Sequence, residues 1–165
     1  MFSSLQSLDY SDCKLYLVQH GQGETKVYYS DRPLSEVGYA TTEHVAAWAA
    51  KSGLQVNEIW HSGKLRAKQT ADIFAGKLCP AKGTVEHDGM NPTDDVISFA
   101  EKLNDTSDAI MIVGHLPFLA RLVALLICDD PEQTVVRFSN SGIVGLDRED
   151  NRWMISCVIP AGAAT

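Results

Sequence analysis

Apolar residues along this chain switch between short runs of β type and longer stretches with helical spacing. Lys14 to Val18 (KLYLV) is a compact apolar run, broken at once by His20-Gly21-Gln22-Gly23, where the glycines permit a sharp turn. Ser35 to Ala50 opens with a capping side chain and an acid in its first turn. It carries Val37, Ala40, His44, Ala47 and Trp48 at helical spacing, which predicts an amphipathic helix. Glu58 to Ser62 reads as a second strand, followed by a helix over Leu65 to Leu78 with good helix formers throughout. Thr84 to Glu86 predicts a brief strand, and Thr93-Asp94-Asp95 starts a helix that carries Val96, Phe99, Ala100 and Leu103. Ala109 to Val113 (AIMIV) is apolar throughout, as expected of a central parallel strand covered on both faces. Gly114-His115 ends it before an apolar helix over Pro117 to Ile127. Thr134 to Phe138, Gly142 to Leu146 and Arg152 to Ile159 read as further strands, the last two joined by the turn-rich Glu149-Asp150-Asn151.

Repeated strand-helix units imply a three-layer α/β/α sandwich with a mainly parallel central sheet, finished by partly antiparallel strands. The 165 residues fit one domain, with 1–13 and 160–165 expected as flexible ends. No apolar run approaches the roughly 18 residues of a membrane span, and the polar, acidic start lacks the pattern of a secretory signal. A soluble cytoplasmic protein with no membrane association is the expectation. Cys13, Cys79, Cys128 and Cys157 lack metal-type spacing and are expected to be small core hydrophobes. A net charge of −7, with no Lys/Arg cluster, argues against nucleic acid as a partner. It also means that any phosphate site must be locally positive within an acidic protein.

In a parallel sheet, ligands sit beyond the carboxyl ends of the strands. The residues that follow strands are His20, the segment His61 to Arg66, and His115. Two of these are histidines beside glycine, His20-Gly21 and Gly114-His115, far apart in sequence but at the same predicted sheet edge.

Four blocks then occur in a fixed order. Leu15-Tyr16-Leu17-Val18-Gln19-His20-Gly21 resembles a strand followed by Arg-His-Gly, and Arg32-Pro33-Leu34-Ser35 with Gly38 resembles RPL[ST]xxG. Ser62 to Ala71 (SGKLRAKQTA) resembles SxxxRAxQTA, and Val113-Gly114-His115-Leu116-Pro117 resembles VGHxP. Together they resemble the histidine phosphatase superfamily, with a phosphoglycerate mutase-like fold. The small size, and Met90 to Asp95 in place of a large inserted cap, favour its SixA-type phosphohistidine phosphatase group.

The resemblance implies a nucleophilic His20, with a phosphate clamp at Arg66 and a second donor, His115, that would act in the protonated form. Gly21 would form the turn whose carbonyl holds one ring nitrogen of His20 as a donor. Neither a metal nor another cofactor is called for. Arg32 could reach the site but reads better as part of a structural ion pair, while His44 and His61 read as packing or loop residues. Asp88 is the residue chosen as proton donor to the leaving group. Two departures stand out: Gln19 replaces the motif arginine, keeping an amide donor but bringing no charge, and Gln22 stands where an acid often lies. The expected function is a phosphatase acting on a phosphorylated protein, above all a phosphohistidine protein, or on a small phosphoester. The alternative is a phosphate- or phosphoprotein-binding module that is weak or inactive as an enzyme. Oligomeric state and physiological partner are not encoded legibly.

Overall fold

A computed structural model describes residues 15–26 and 28–165. Six strands and four α-helices follow one another as β1 (Leu15–Gln19), α1 (Glu36–Lys51), β2 (Glu58–His61), α2 (Leu65–Leu78) and β3 (Thr84–Glu86), then α3 (Val96–Asn104), β4 (Ile110–Gly114), α4 (Phe118–Cys128), β5 (Ile143–Glu149) and β6 (Arg152–Ile159). The strands form one sheet in the order β3-β2-β4-β1-β5-β6. β3, β2, β4 and β1 pair in parallel, while β5 and β6 complete the sheet antiparallel. This is the predicted three-layer architecture.

Strand alternation sorts the core into two halves. Tyr16, Val18, Met111 and Val113 pack with Val45, Ala46, Ala49, Ala67, Ala71 and Phe74 beneath α1 and α2. Leu15, Leu17, Ile110 and Ile112 pack with Phe99, Leu103, Phe118 and Leu122 beneath α3 and α4. Fully burying each such aliphatic side chain contributes about 1.5–3 kcal/mol, which is why β1 and β4 can be apolar on both faces.

Several sequence expectations are corrected. Thr134 to Phe138 pairs with no strand; Val135, Val136 and Phe138 lean on the α3/α4 core, but the edge of β1 is already taken by β5. The buried stripe of α1 is Gly38, Thr42, Val45, Ala46 and Ala49, and Val37, Ala40 and Ala47 face solvent. Gly38 explains the rotation: a Cβ there would run into the Gln22 backbone, so this bare helix face lies against the loop that follows β1. Cys79 and Cys128 are exposed at helix ends and Cys157 is half-buried, while Cys13 lies outside the described residues. Residues 1–13 likewise lie outside the described residues, but the other expected loose end is packed. Ala164 is fully buried in the α1 side of the core, and the His44 ring hydrogen-bonds its carbonyl. No helix among the described residues is long and apolar enough to cross a membrane.

Candidate active site

β2, β4 and β1 are neighbours and run in parallel, so their carboxyl ends deliver Ser62, His115 and His20 to a single edge. Gln19 lies opposite Gly114, and the His20 amide donates to the Gly114 carbonyl at 3.0 Å. Arg66 comes up from the first turn of α2, which starts just past Ser62.

The hydrogen bonds define the ring states. His20 Nδ1 lies 2.7 Å from the Gly21 carbonyl, which can only accept, so Nδ1 carries the proton. His20 Nε2 is therefore a bare acceptor, and Arg66 Nε donates to it at 3.2 Å. Arg66 Nη2 lies 3.5 Å from His115 Nδ1, and His115 Nε2 lies 2.6 Å from Ser62 Oγ. The two imidazoles are tilted by 54° with centroids 4.9 Å apart. One guanidinium thus bridges two histidines.

Burial pushes the His20 pKa down, with the charges of Arg66 and Arg32 adding to it against the opposing Gly21 hydrogen bond. His115 is driven to about 3, first by burial and then by His20, Arg66 and Lys64. Both rings are neutral near pH 7, so in the free protein His115 is an uncharged group and not the protonated donor expected. No carboxylate figures among the causes of either shift. The centre is locally positive within a chain of net charge −7, as a phosphate site requires.

Arg32 departs from expectation. It makes no ion pair among the described residues; its Nε donates to the Glu24 carbonyl, and its charge reaches both His20 and Arg66. It belongs to the cationic surroundings of the site.

The sequence motifs interlock around the turn after β1. The Gly21 amide donates to Thr70 Oγ1 at 2.9 Å, and that hydroxyl donates to the Arg66 carbonyl at 2.7 Å. A Cβ on Gly21 would lie 2.5 Å from Thr42 Oγ1 and 2.8 Å from Leu34 Cδ2, so only glycine fits. Gln69 Oε1 accepts from the Leu34 amide at 2.7 Å, and Ser35 caps α1 by accepting from the Gly38 amide. From the other side, Asn140 Nδ2 donates to the His20 carbonyl at 2.8 Å, and the Ser141 amide donates to the Gln19 carbonyl at 2.9 Å. Sequence reasoning missed Asn140 and Ser141; the turn-type run Ser139-Asn140-Ser141-Gly142 was the available signal.

The structure brings His20, Gly21, Arg66 and His115 together. Gln19 ends β1 half-buried and lends its backbone to the bracing just described. Asp88 is not drawn in: it is exposed in the bend after β3, its charge acts on His87, and no hydrogen bond joins it to His20, Arg66 or His115.

Residues 15–89 match the model of the histidine phosphatase superfamily (branch 1). An uncharacterized protein of Picosynechococcus sp. is 29% identical over 141 residues, covering 81% of this chain and 84% of the relative. Among solved structures, the protein histidine phosphatase SixA complexed with tungstate superposes with a TM-score of 0.79 at 20% identity, covering 92% of this chain and 99% of the other. A phosphoglycerate mutase from Bacillus anthracis gives a TM-score of 0.70 at 12% identity, covering 93% of this chain and 96% of the other. The chain thus matches the histidine phosphatase superfamily over residues 15–89, and its fold is the one shared by SixA and phosphoglycerate mutase.

Proposed function

We propose that this protein is a phosphatase that takes a phosphoryl group onto His20 Nε2 and then releases it to water, acting on phosphohistidine proteins or small phosphoesters. The supporting observation is the Arg66 bridge: a fixed cation lies against the bare Nε2 of one neutral histidine and faces a second. An incoming phosphoryl oxygen replaces these internal contacts with charge-assisted ones to the same guanidinium.

In the first step, the Nε2 lone pair forms a bond to phosphorus as the bond to the leaving group breaks, while Nδ1–H stays on the Gly21 carbonyl. Arg66 and Arg32 offset charge on the phosphoryl oxygens. His115, neutral in the free protein, gains a proton readily once a dianion lies beside it, and then donates to an oxygen. The departing group takes up a proton; an imidazole leaving group does so easily near neutral pH, which lessens the need for an acid at Asp88. Water then attacks phosphorus, the P–N bond breaks, and phosphate leaves with His20 restored.

Gln19 supports a second reading, a binding module with little turnover, because it supplies no charge where the motif has arginine. Turnover of an aryl phosphate and of a phosphohistidine protein, with His20→Ala as control, separates the two. Turnover lost in His20→Ala supports the phosphatase. No turnover, with Arg66-dependent phosphate binding, supports the binding module.

A further inference from the structure

Ser62 follows β2 directly, and its hydroxyl oxygen lies 2.6 Å from His115 Nε2. On the far side of the same ring, Nδ1 faces the Arg66 Nη2 donor at 3.5 Å. A guanidinium has no acceptor, so the favoured arrangement leaves Nδ1 bare and places the ring proton on Nε2, where Ser62 can accept it. The opposite tautomer would set an N–H against an N–H. The titratable and charged groups acting on the ring are His20 at the end of β1 and Lys64 and Arg66 at the start of α2; the two cations have no acceptor, and the bare Nε2 of His20 already takes the Arg66 Nε–H.

We infer that Ser62 is a positioning residue that holds His115 as its Nε2–H tautomer, with Nδ1 turned toward Arg66 and His20 as the atom that meets the phosphoryl group. This rests on reading the Arg66 bridge as a phosphoryl site. Ser62 is itself anchored: the Gly63 amide donates to His61 Nδ1 at 3.1 Å, and Gly63 has φ +80 with the Glu86 side chain packed where a Cβ would stand. The short loop between β2 and α2 is therefore shaped locally, with Ser62 on one side of the ring and Arg66 on the other.

The test is side-chain ¹⁵N spectroscopy of the free protein near neutral pH, which reads the tautomer without any substrate. In wild type, His115 is expected as the Nε2–H form; in Ser62→Ala, where Arg66 alone still favours a bare Nδ1, the Nε2–H share should fall, and in Ser62→Thr, which keeps a hydroxyl, it should be retained. An Nδ1–H ring in wild type, or an unchanged tautomer in a folded Ser62→Ala protein, overturns the inference. Where turnover is measurable, Ser62→Ala should lower kcat by about 10- to 100-fold, as for partners that orient a working histidine, with KM moving less than about threefold. Ser62→Thr should recover most of the loss. Equal falls in both variants, or a change confined to KM, would show that the hydroxyl only packs. If the tautomer behaves as expected while no phosphorylated substrate is turned over, Ser62 keeps its positioning role and the phosphatase reading fails.

Discussion

Two pairs of histidines lie along the same edge of the sheet, and they differ in their surroundings. His20 and His115 follow β1 and β4, their rings are bridged by Arg66, and the neighbouring charges are Arg32 and Lys64. His61 and His87 belong to the ends of β2 and β3; burial lowers their pKa values too, but Asp72 and Glu86 act on His61, and Glu58 and Asp88 on His87. The His87 ring stacks on Trp60 with centroids 4.0 Å apart, and His61 Nδ1 accepts from the Gly63 amide. A strand-end position and a lowered pKa are thus shared by both pairs. A guanidinium contact and freedom from carboxylates mark only the first, and they are what an anionic substrate requires.

The sharpest test of this contrast is His20→Ala, which should lower turnover by more than about 10⁴-fold, the scale for a lost nucleophile. Arg66→Ala should cost about 10²- to 10³-fold, as for loss of a preorganised donor, and Arg66→Lys should recover little because a point charge cannot span both rings. Gln19→Arg should raise turnover, by about 10-fold or more, if the site works but lacks a charge. His87→Ala should change turnover less than about twofold, although it loses the Trp60 stack, worth about 0.5–1.5 kcal/mol in thermal unfolding. A large activity loss in His87→Ala would break the distinction between the pairs.

Proton titration gives a smaller effect of predictable sign. Protonation removes the His20 Nε2 lone pair, and the folded pKa lies below the ordinary 6.5. kcat/KM should therefore hold steady down to pH 6.5 and decline only at lower pH. Arg32→Ala removes one cause of the lowering and should move that decline upward. The same shifts predict that stability falls as pH drops below 6.5, because the unfolded chain protonates these rings first, with the His115 contribution lost by about pH 3.

Much of the fold was legible where local and tertiary forces agree. The bounds of α2 came out as read, and the run from Ile110 to Val113 was apolar because both faces of β4 are covered. The α1 face was misread because its buried side is chosen by a bare glycine and a threonine fitting a loop, which hydrophobic spacing does not report. Thr134 to Phe138 has β-type residues that reach the core, but the β1 edge is already taken by β5. His20, Arg66 and His115 were legible through their motifs. Ser62 stood in its motif without a role, and Asn140 and Ser141 stood in none, because their roles lie in hydrogen bonds across 53 to 122 positions of sequence: Ser62 to His115, Asn140 to His20 at 120, and Ser141 to Gln19.

The central claim is that His20 Nε2 accepts the phosphoryl group, and the most direct measurement is to trap it. The protein is mixed with a phosphohistidine protein labelled in its phosphoryl group and quenched in alkali, where a phosphohistidine survives, and the labelled position is then mapped. The expected result is an acid-labile phosphoryl group on His20, absent in His20→Ala and sharply reduced in Arg66→Ala. Substrate consumed with no label on His20, or label that persists in His20→Ala, would contradict the account.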